Sequence, residues 1–182
     1  MSLDGQFLVA SRELLEPNFA RSVVLIIRHS DEGAMGLVLN RPTKTSVSEA
    51  WKQVSEAPCP STGLIHLGGP CRGPLMAIHR DPALGEIELV PGVYFCSDPE
   101  NLEKLISKGE DPARFFIGFA GWGPGQLESE MREDSWLITP ATAEQIFEGP
   151  YDIWAQLTRQ IYGLKMLSAL RIKNVPADPS LN

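Results

Sequence analysis

The chain has 182 residues, 43% of them hydrophobic and 21% charged, with a formal net charge of −7. That length and composition fit one globular domain with a substantial core and exclude wholesale disorder. The acidic balance and the scattered Lys and Arg argue against direct nucleic-acid binding, whose affinity is dominated by contacts between a basic patch and phosphates. The nearest approach to a cluster, Arg159, Lys165, Arg171 and Lys173, reads as a solvated face.

Cys59, Cys71 and Cys96 form no C-x-x-C pair, so the chain carries no disulfide framework. The start, "MSLDGQFLVASRELL", lacks the apolar run of a signal peptide, and no stretch approaches the ~18 apolar residues of a membrane span. A soluble, cytoplasmic protein is expected. The 16 Gly and 15 Pro predict a turn-rich chain with much β-structure.

In chain order, "GQFLVA" (5–10) predicts a first strand and 11–21 a loop with a helical turn before Pro17. "SVVLIIRHS" (22–30), β-branched and almost continuously apolar, predicts a central strand. "DEGA" turns the chain into the returning strand "MGLVLN" (35–40), a hairpin. "RPTKT" breaks the pattern. In "SVSEAWKQV" (46–54), Ser46 and Glu49 have capping-box spacing, and Val47, Ala50, Trp51 and Val54 share a helical face.

"LIHLGGP" (64–70) and "LMAIHR" (75–80) are strands around a Gly/Pro bend, and "IELVPGVYFCS" (87–97) is strand broken at Pro91-Gly92. "DPENLEKLISKG" (98–109) is a helix capped by Asp98, opened by Pro99 and stopped by Gly109. "RFFIGFA" (114–120) is a strand. Residues 123–134 pass from loop into a short helix, "SWLITP" (135–140) is a strand, and 141–149 and 151–163 are helices. The expected architecture is a single α+β domain over 1–163, with a C-terminal tail at 164–182. Its mostly antiparallel sheet, bulged and barrel-like because of its internal Gly and Pro, is flanked by about four helices.

Two loops stand out. In "GFAGWGPGQLE", Gly121, Gly123, Pro124 and Gly125 make a stiff, sharp turn around Trp122. Either Trp122 plugs the end of the core, or it forms a pocket wall with exposed main-chain N–H groups and with Gln126 and Glu128 at the rim. In "GAMGLVLNRP", Arg41 either clamps a carboxylate or phosphate or joins Asn40 in satisfying loop carbonyls and acidic neighbours. "LGGPCRGP" has no phosphate-loop spacing. Cys71 beside Arg72 reads as a reactive thiol or, more simply, as a small residue at a turn. His29, His66 and His79 lack metal-ligand spacing, so no metal site is assigned from His66, Cys71 and His79. No G-x-S-x-G elbow or carboxylate pair nominates a catalytic residue, and no cofactor is implied.

The ordered motifs "GQFLVAS", "FARSVVLIIRH", "GAMGLVLNRP", "LGGP", "GVYF" and "RFFIGFAGWGPGQLE" resemble the AlgH/YqgE family of bacterial proteins, also called UPF0301, over about residues 5–160. The resemblance implies a cytosolic α+β domain with a bulged, barrel-like sheet and no assigned reaction. Some members are described as transcriptional regulators through an association with alginate production in pseudomonads. Two residues depart from the family pattern: Cys71, where an aliphatic residue is more common, and His66, where an aromatic is common. The expectation is a domain, monomeric or weakly dimeric, that binds a small molecule or protein partner. Its pocket would be near Asn40, Arg41, Gly121, Trp122, Gly123 and Gln126. Regulation of transcription, indirectly or on DNA, is the alternative, and an enzyme of unrecognised chemistry the more remote one.

Overall fold

The computed structural model describes residues 2–53, 56, 58–61, 63–109, 112–149 and 152–169. Ten strands form a mostly antiparallel sheet. They are β1 (Gln6–Ala10), β2 (Val23–Ser30), β3 (Gly33–Val38), β4 (Pro42–Ser46), β5 (Leu64–Leu67), β6 (Cys71–His79), β7 (Ile87–Val90), β8 (Val93–Cys96), β9 (Ala113–Trp122) and β10 (Trp136–Pro140). Five helices accompany them: α1 (Val47–Trp51), α2 (Pro99–Lys108), α3 (Gln126–Arg132), α4 (Ala143–Phe147) and α5 (Ile153–Ala169). The sheet order is β10-β1-β2-β3-β9-β6-β8-β7, with β4 on β5 and β5 parallel to β9.

The path is open, so the expected barrel-like curl does not reach closure. It goes far, however. A Cβ on Gly5, just before β1, would lie 2.1 Å from the Leu89 carbonyl oxygen in β7, so the two distant strands touch through a glycine. The expected bulges are present: the register shifts between Ile26 and Arg28 in β2 and between Cys71 and Leu75 in β6.

β9 joins the two halves of the sheet. Its first part pairs with β6 and β5, and Ala120, Gly121 and Trp122 pair with β3. The join depends on the "LGGP" motif. Gly68 donates its N–H to the Ile117 carbonyl (2.9 Å) and accepts from Val38 N–H (2.8 Å), so its backbone threads between β3 and β9. A Cβ on Gly68 would sit 2.2 Å from the Gly118 oxygen, which leaves no room for a side chain.

β1 and β2 bury both faces, which explains the continuous apolar run of β2. Phe7, Val9, Leu25 and Ile27 pack with Met76, Ile78, Val93 and Phe95 inside the curl, closed by Ile146, Ile153 and Leu157 of α4 and α5. Leu8, Ala10, Val24 and Ile26 face the other way, toward Trp122, Leu127 and Trp136. Helices α1 and α2 cover Ile65, Ala77 and Phe115.

The expected caps form. Ser46 and Glu49 make the capping box, while Asp98 accepts from Asn101 N–H and Gly109 ends α2 in the left-handed conformation. Val54, placed on the α1 face by its spacing, lies outside the described residues, as does Tyr151.

Two further expectations differ from what is observed. "RPTKT" forms β4, because an edge strand tolerates Pro42 where a central one would not. α5 runs through Gly163 to Ala169: the glycine costs about 1 kcal/mol in a helix, and the good helix formers Leu164, Lys165 and Met166 carry it onward. Among the described residues, no helix is long and apolar enough to cross a membrane.

Candidate functional site: an arginine-lined cleft

A cleft of about 380 Å³ opens where β3 runs into β4, beside the start of β9 and the helices α4 and α5. Its walls include Arg21, Asn40, Arg41, His66, Arg114, Gln145 and Asp152. Three arginines against one carboxylate make it locally basic in a chain of net charge −7.

The fold holds each arginine. Arg114, the second residue of β9, donates to the carbonyls of Ile146 (2.8 Å) and Leu39 (2.6 Å). Arg41 donates to the Ala20 carbonyl. Arg21, at φ +57°, lies 5.5 Å over the Trp154 ring. Asn40 is committed to the scaffold: its amide donates to the Arg21 carbonyl (2.8 Å) and its oxygen accepts from Val23 N–H (2.9 Å), which ties the 20–23 turn to the end of β3.

His66 faces Arg114, with Nε2 2.9 Å from its guanidinium. Burial first, then the Arg114 charge, pull the imidazole down to about 4. It is therefore neutral near pH 7. Because Arg114 can only donate, Nε2 accepts and the proton sits on Nδ1. The backbone of Leu64 and Phe115 hydrogen-bonds the ring and partly offsets the lowering, and Nδ1, like Gln145 Oε1, is closed off from solvent.

Burial also lowers Arg114, to about 10, and no carboxylate lies within ion-pair distance of it among the described residues. Three of its five N–H bonds are used, leaving two without an acceptor among the described residues.

The other sequence-nominated residues lie elsewhere. Gly121, Trp122, Gly123 and Gln126 are not among the residues lining this cleft. Trp122 is 5% exposed, stacked on Phe19 and edge-on to Trp136. Gln126 folds back on its own loop, accepting from Gly123 N–H (3.1 Å) and donating to Glu130 (2.9 Å). Glu128 pairs with His29 at 2.7 Å. Cys71 is partly buried at the β6 bulge. Among the described residues, no group of three or more His, Cys, Asp and Glu could hold a metal.

Arg21, Arg114 and Gln145 escaped the sequence reading, and His66 was weighed only as a metal ligand. Only Arg114 carried a visible signal: a cation heading a strand that is otherwise apolar.

The AlgH-like family model matches residues 7–165. The chain belongs to that family. Among AlgH-like relatives, a UPF0301 protein of Chlorobaculum tepidum is 37% identical over 185 residues, covering 98% of this chain and 95% of the relative. A UPF0301 protein of Streptomyces avermitilis is 35% identical over 202 residues, covering 100% and 96%. The solution structure of AlgH from Pseudomonas aeruginosa superposes with a TM-score of 0.74 at 28% identity, covering 97% of each chain. A crystal structure of a Corynebacterium diphtheriae protein gives 0.67 at 26%, covering 87% of this chain and 86% of the other. The AlgH-like fold is thus shared across nearly the whole chain.

Proposed function

We propose that this AlgH-like protein is a binding domain for a small molecule and that the arginine cleft is its site. The observation that carries the reading is the convergence of Arg21, Arg41 and Arg114 on one cleft, with Arg114 largely buried and without a carboxylate at ion-pair distance among the described residues. A buried cation without a counter-charge is costly, and a ligand that supplies the partner recovers that cost. The volume falls in the range of small-molecule sites. The lining residues named above include no hydroxyl or thiol nucleophile, so the arrangement supports recognition rather than covalent chemistry.

The test is a native mass spectrum of freshly purified protein beside its denatured mass, together with an amide-shift screen of a fragment library. The expected result is a retained mass that leaves on denaturation, or fragments that shift amides around residues 39–42 and 145, with both effects lost in Arg41→Ala. A bare mass together with fragments that bind only outside the cleft would overturn the reading.

A further inference from the structure

We infer that the ligand of this cleft is a small dianionic oxyanion, a dicarboxylate or a phosphate monoester, selected by the cleft's surplus of positive charge. The inference rests on the reading of the cleft as a ligand site and names the ligand class that fits it.

The charge count comes first. Arg21, Arg41 and Arg114 line the cleft, and among the described residues Asp152 is the one carboxylate in its wall. His66 in the same wall is neutral near pH 7, and Arg114, lowered to about 10, stays protonated there. Three guanidinium charges less one carboxylate leave a surplus of two. A monoanion would leave one cation without a partner, whereas a dianion balances both. Arg21 is exposed, and Arg41 and Arg114 both keep accessible surface, so a solute entering the cleft reaches all three.

The protein does not relieve this surplus from within. Asp152 accepts from Ala155 N–H at 3.1 Å and makes no ion pair among the described residues. The hydrogen bonds of Arg114 go to two carbonyls and to His66 Nε2, none of them charged. The Trp154 ring under Arg21 stabilises a cation without neutralising it. The 20–23 turn also holds two of the cations at one rim. The consecutive carbonyls of Ala20 and Arg21 accept from the consecutive side chains of Arg41 and Asn40. Arg21 is thereby kept at φ +57°, a conformation uncommon outside glycine and sustained here by those bonds.

Arg41 supplies the fork. Among the described residues it spends one Nη2–H, on the Ala20 carbonyl. Whichever of the two Nη2 hydrogens that is, either the Nε–Nη2 edge or the Nη1–Nη2 edge keeps both of its N–H bonds. A carboxylate or phosphate takes two parallel bonds from such an edge. Arg114, whose free N–H bonds lie on Nε and Nη1, contributes charge and single bonds rather than a second fork.

The experiment titrates the isotope-labelled full chain at about pH 7.5, where a phosphate monoester carries close to two charges. It follows the backbone amides and the arginine Nε–H resonances. Two matched series carry two, one and no charges: succinate, monomethyl succinate and dimethyl succinate, and methyl, dimethyl and trimethyl phosphate. In at least one series the dianion should shift residues near 40 and 145 and bind roughly ten-fold more tightly than its monoanion, the effect of one further ion pair. The neutral ester should not bind. The series that binds identifies the headgroup.

Arg21→Asn removes one charge and tolerates the left-handed backbone, so it should bring the dianion and monoanion affinities together. Arg41→Lys keeps the charge but loses the fork, so it should weaken both anions and preserve their ratio. The ratio in the unaltered protein decides the inference whether or not the variants fold. Equal affinity for dianion and monoanion in both series, or a ratio that a folded Arg21→Asn variant leaves unchanged, would overturn it. If neutral esters or library fragments enter the cleft and no anion does, the inference fails while the ligand-site reading stands. If probes and fragments alike leave the cleft unmoved, both fail.

Discussion

Trp122 and Trp136 donate their indole N–H groups to the same oxygen of Glu130, at 2.9 and 2.8 Å. The rings meet edge-on at 6.0 Å, with Phe19 against both. One carboxylate therefore fastens the end of β9 to the start of β10 through α3. Glu130→Ala would orphan two partly buried donors and should cost about 3 kcal/mol, at roughly 1–3 kcal/mol for each donor. Glu130→Gln, which keeps an acceptor oxygen, should cost less. Urea midpoints measure both, and a loss under about 1 kcal/mol for the alanine variant would show that the shared carboxylate is dispensable.

The two loops nominated from sequence should separate in mutagenesis. Trp122→Ala removes a 5%-exposed ring from the core and should cost about 3–5 kcal/mol. Arg41→Ala loses one hydrogen bond to the Ala20 carbonyl and should cost about 1 kcal/mol while abolishing binding at the cleft. Thermal unfolding measures the first quantity and ligand titration the second. Comparable destabilisation by both variants would place Arg41 in the scaffold rather than in the site.

Gly68 and Gly92 are both glycines, for different reasons. Gly68 is needed for space, since a Cβ would meet the Gly118 oxygen at 2.2 Å. Gly92 has φ +75° with nothing within 4 Å, so it is needed for its backbone angle. Gly92→Ala should cost about 1–2 kcal/mol, the penalty for a left-handed non-glycine residue. Gly68→Ala must push β9 away from β3 and should cost more than about 3 kcal/mol or prevent folding. Denaturation curves of the two variants side by side test this, and an inverted order would refute the threading of Gly68 between the strands.

Acid should weaken the fold partly through His66. Its folded value, about 4, lies below the ordinary 6.5, so between those values the unfolded chain binds the proton that the folded chain refuses. The neutral-His contribution is complete above pH 6.5 and is lost as pH falls toward 4. His79, lowered chiefly by burial, acts in the same direction. His66→Gln, which keeps an acceptor for Arg114, should flatten the decline in stability between pH 6.5 and 4. Chemical denaturation at pH 7, 6 and 5 tests it, and an unchanged slope would assign the acid sensitivity elsewhere.

Elements whose causes are local were legible in the sequence. The Ser46/Glu49 capping box, the Asp98-Pro99…Gly109 helix and the continuously apolar β2 all depend on spacings of a few residues, which the chain displays directly. The family resemblance, carried by motifs along the chain, was legible for the same reason. β4 was missed because an edge strand is defined by a neighbour rather than by its own composition. The cleft was only half visible. Asn40 and Arg41 lie in a recognisable motif, but Arg114 reaches Leu39 across 75 positions and His66 across 48. No local pattern records such a meeting. It is decided by the parallel pairing of β5 with β9 and by α4 placing the Ile146 carbonyl against the same guanidinium. Short-range propensity thus determined most of the strands and helices, β4 excepted. Only the tertiary pairing decided which charges share a cavity, because the cost of an unpaired cation depends on what surrounds it.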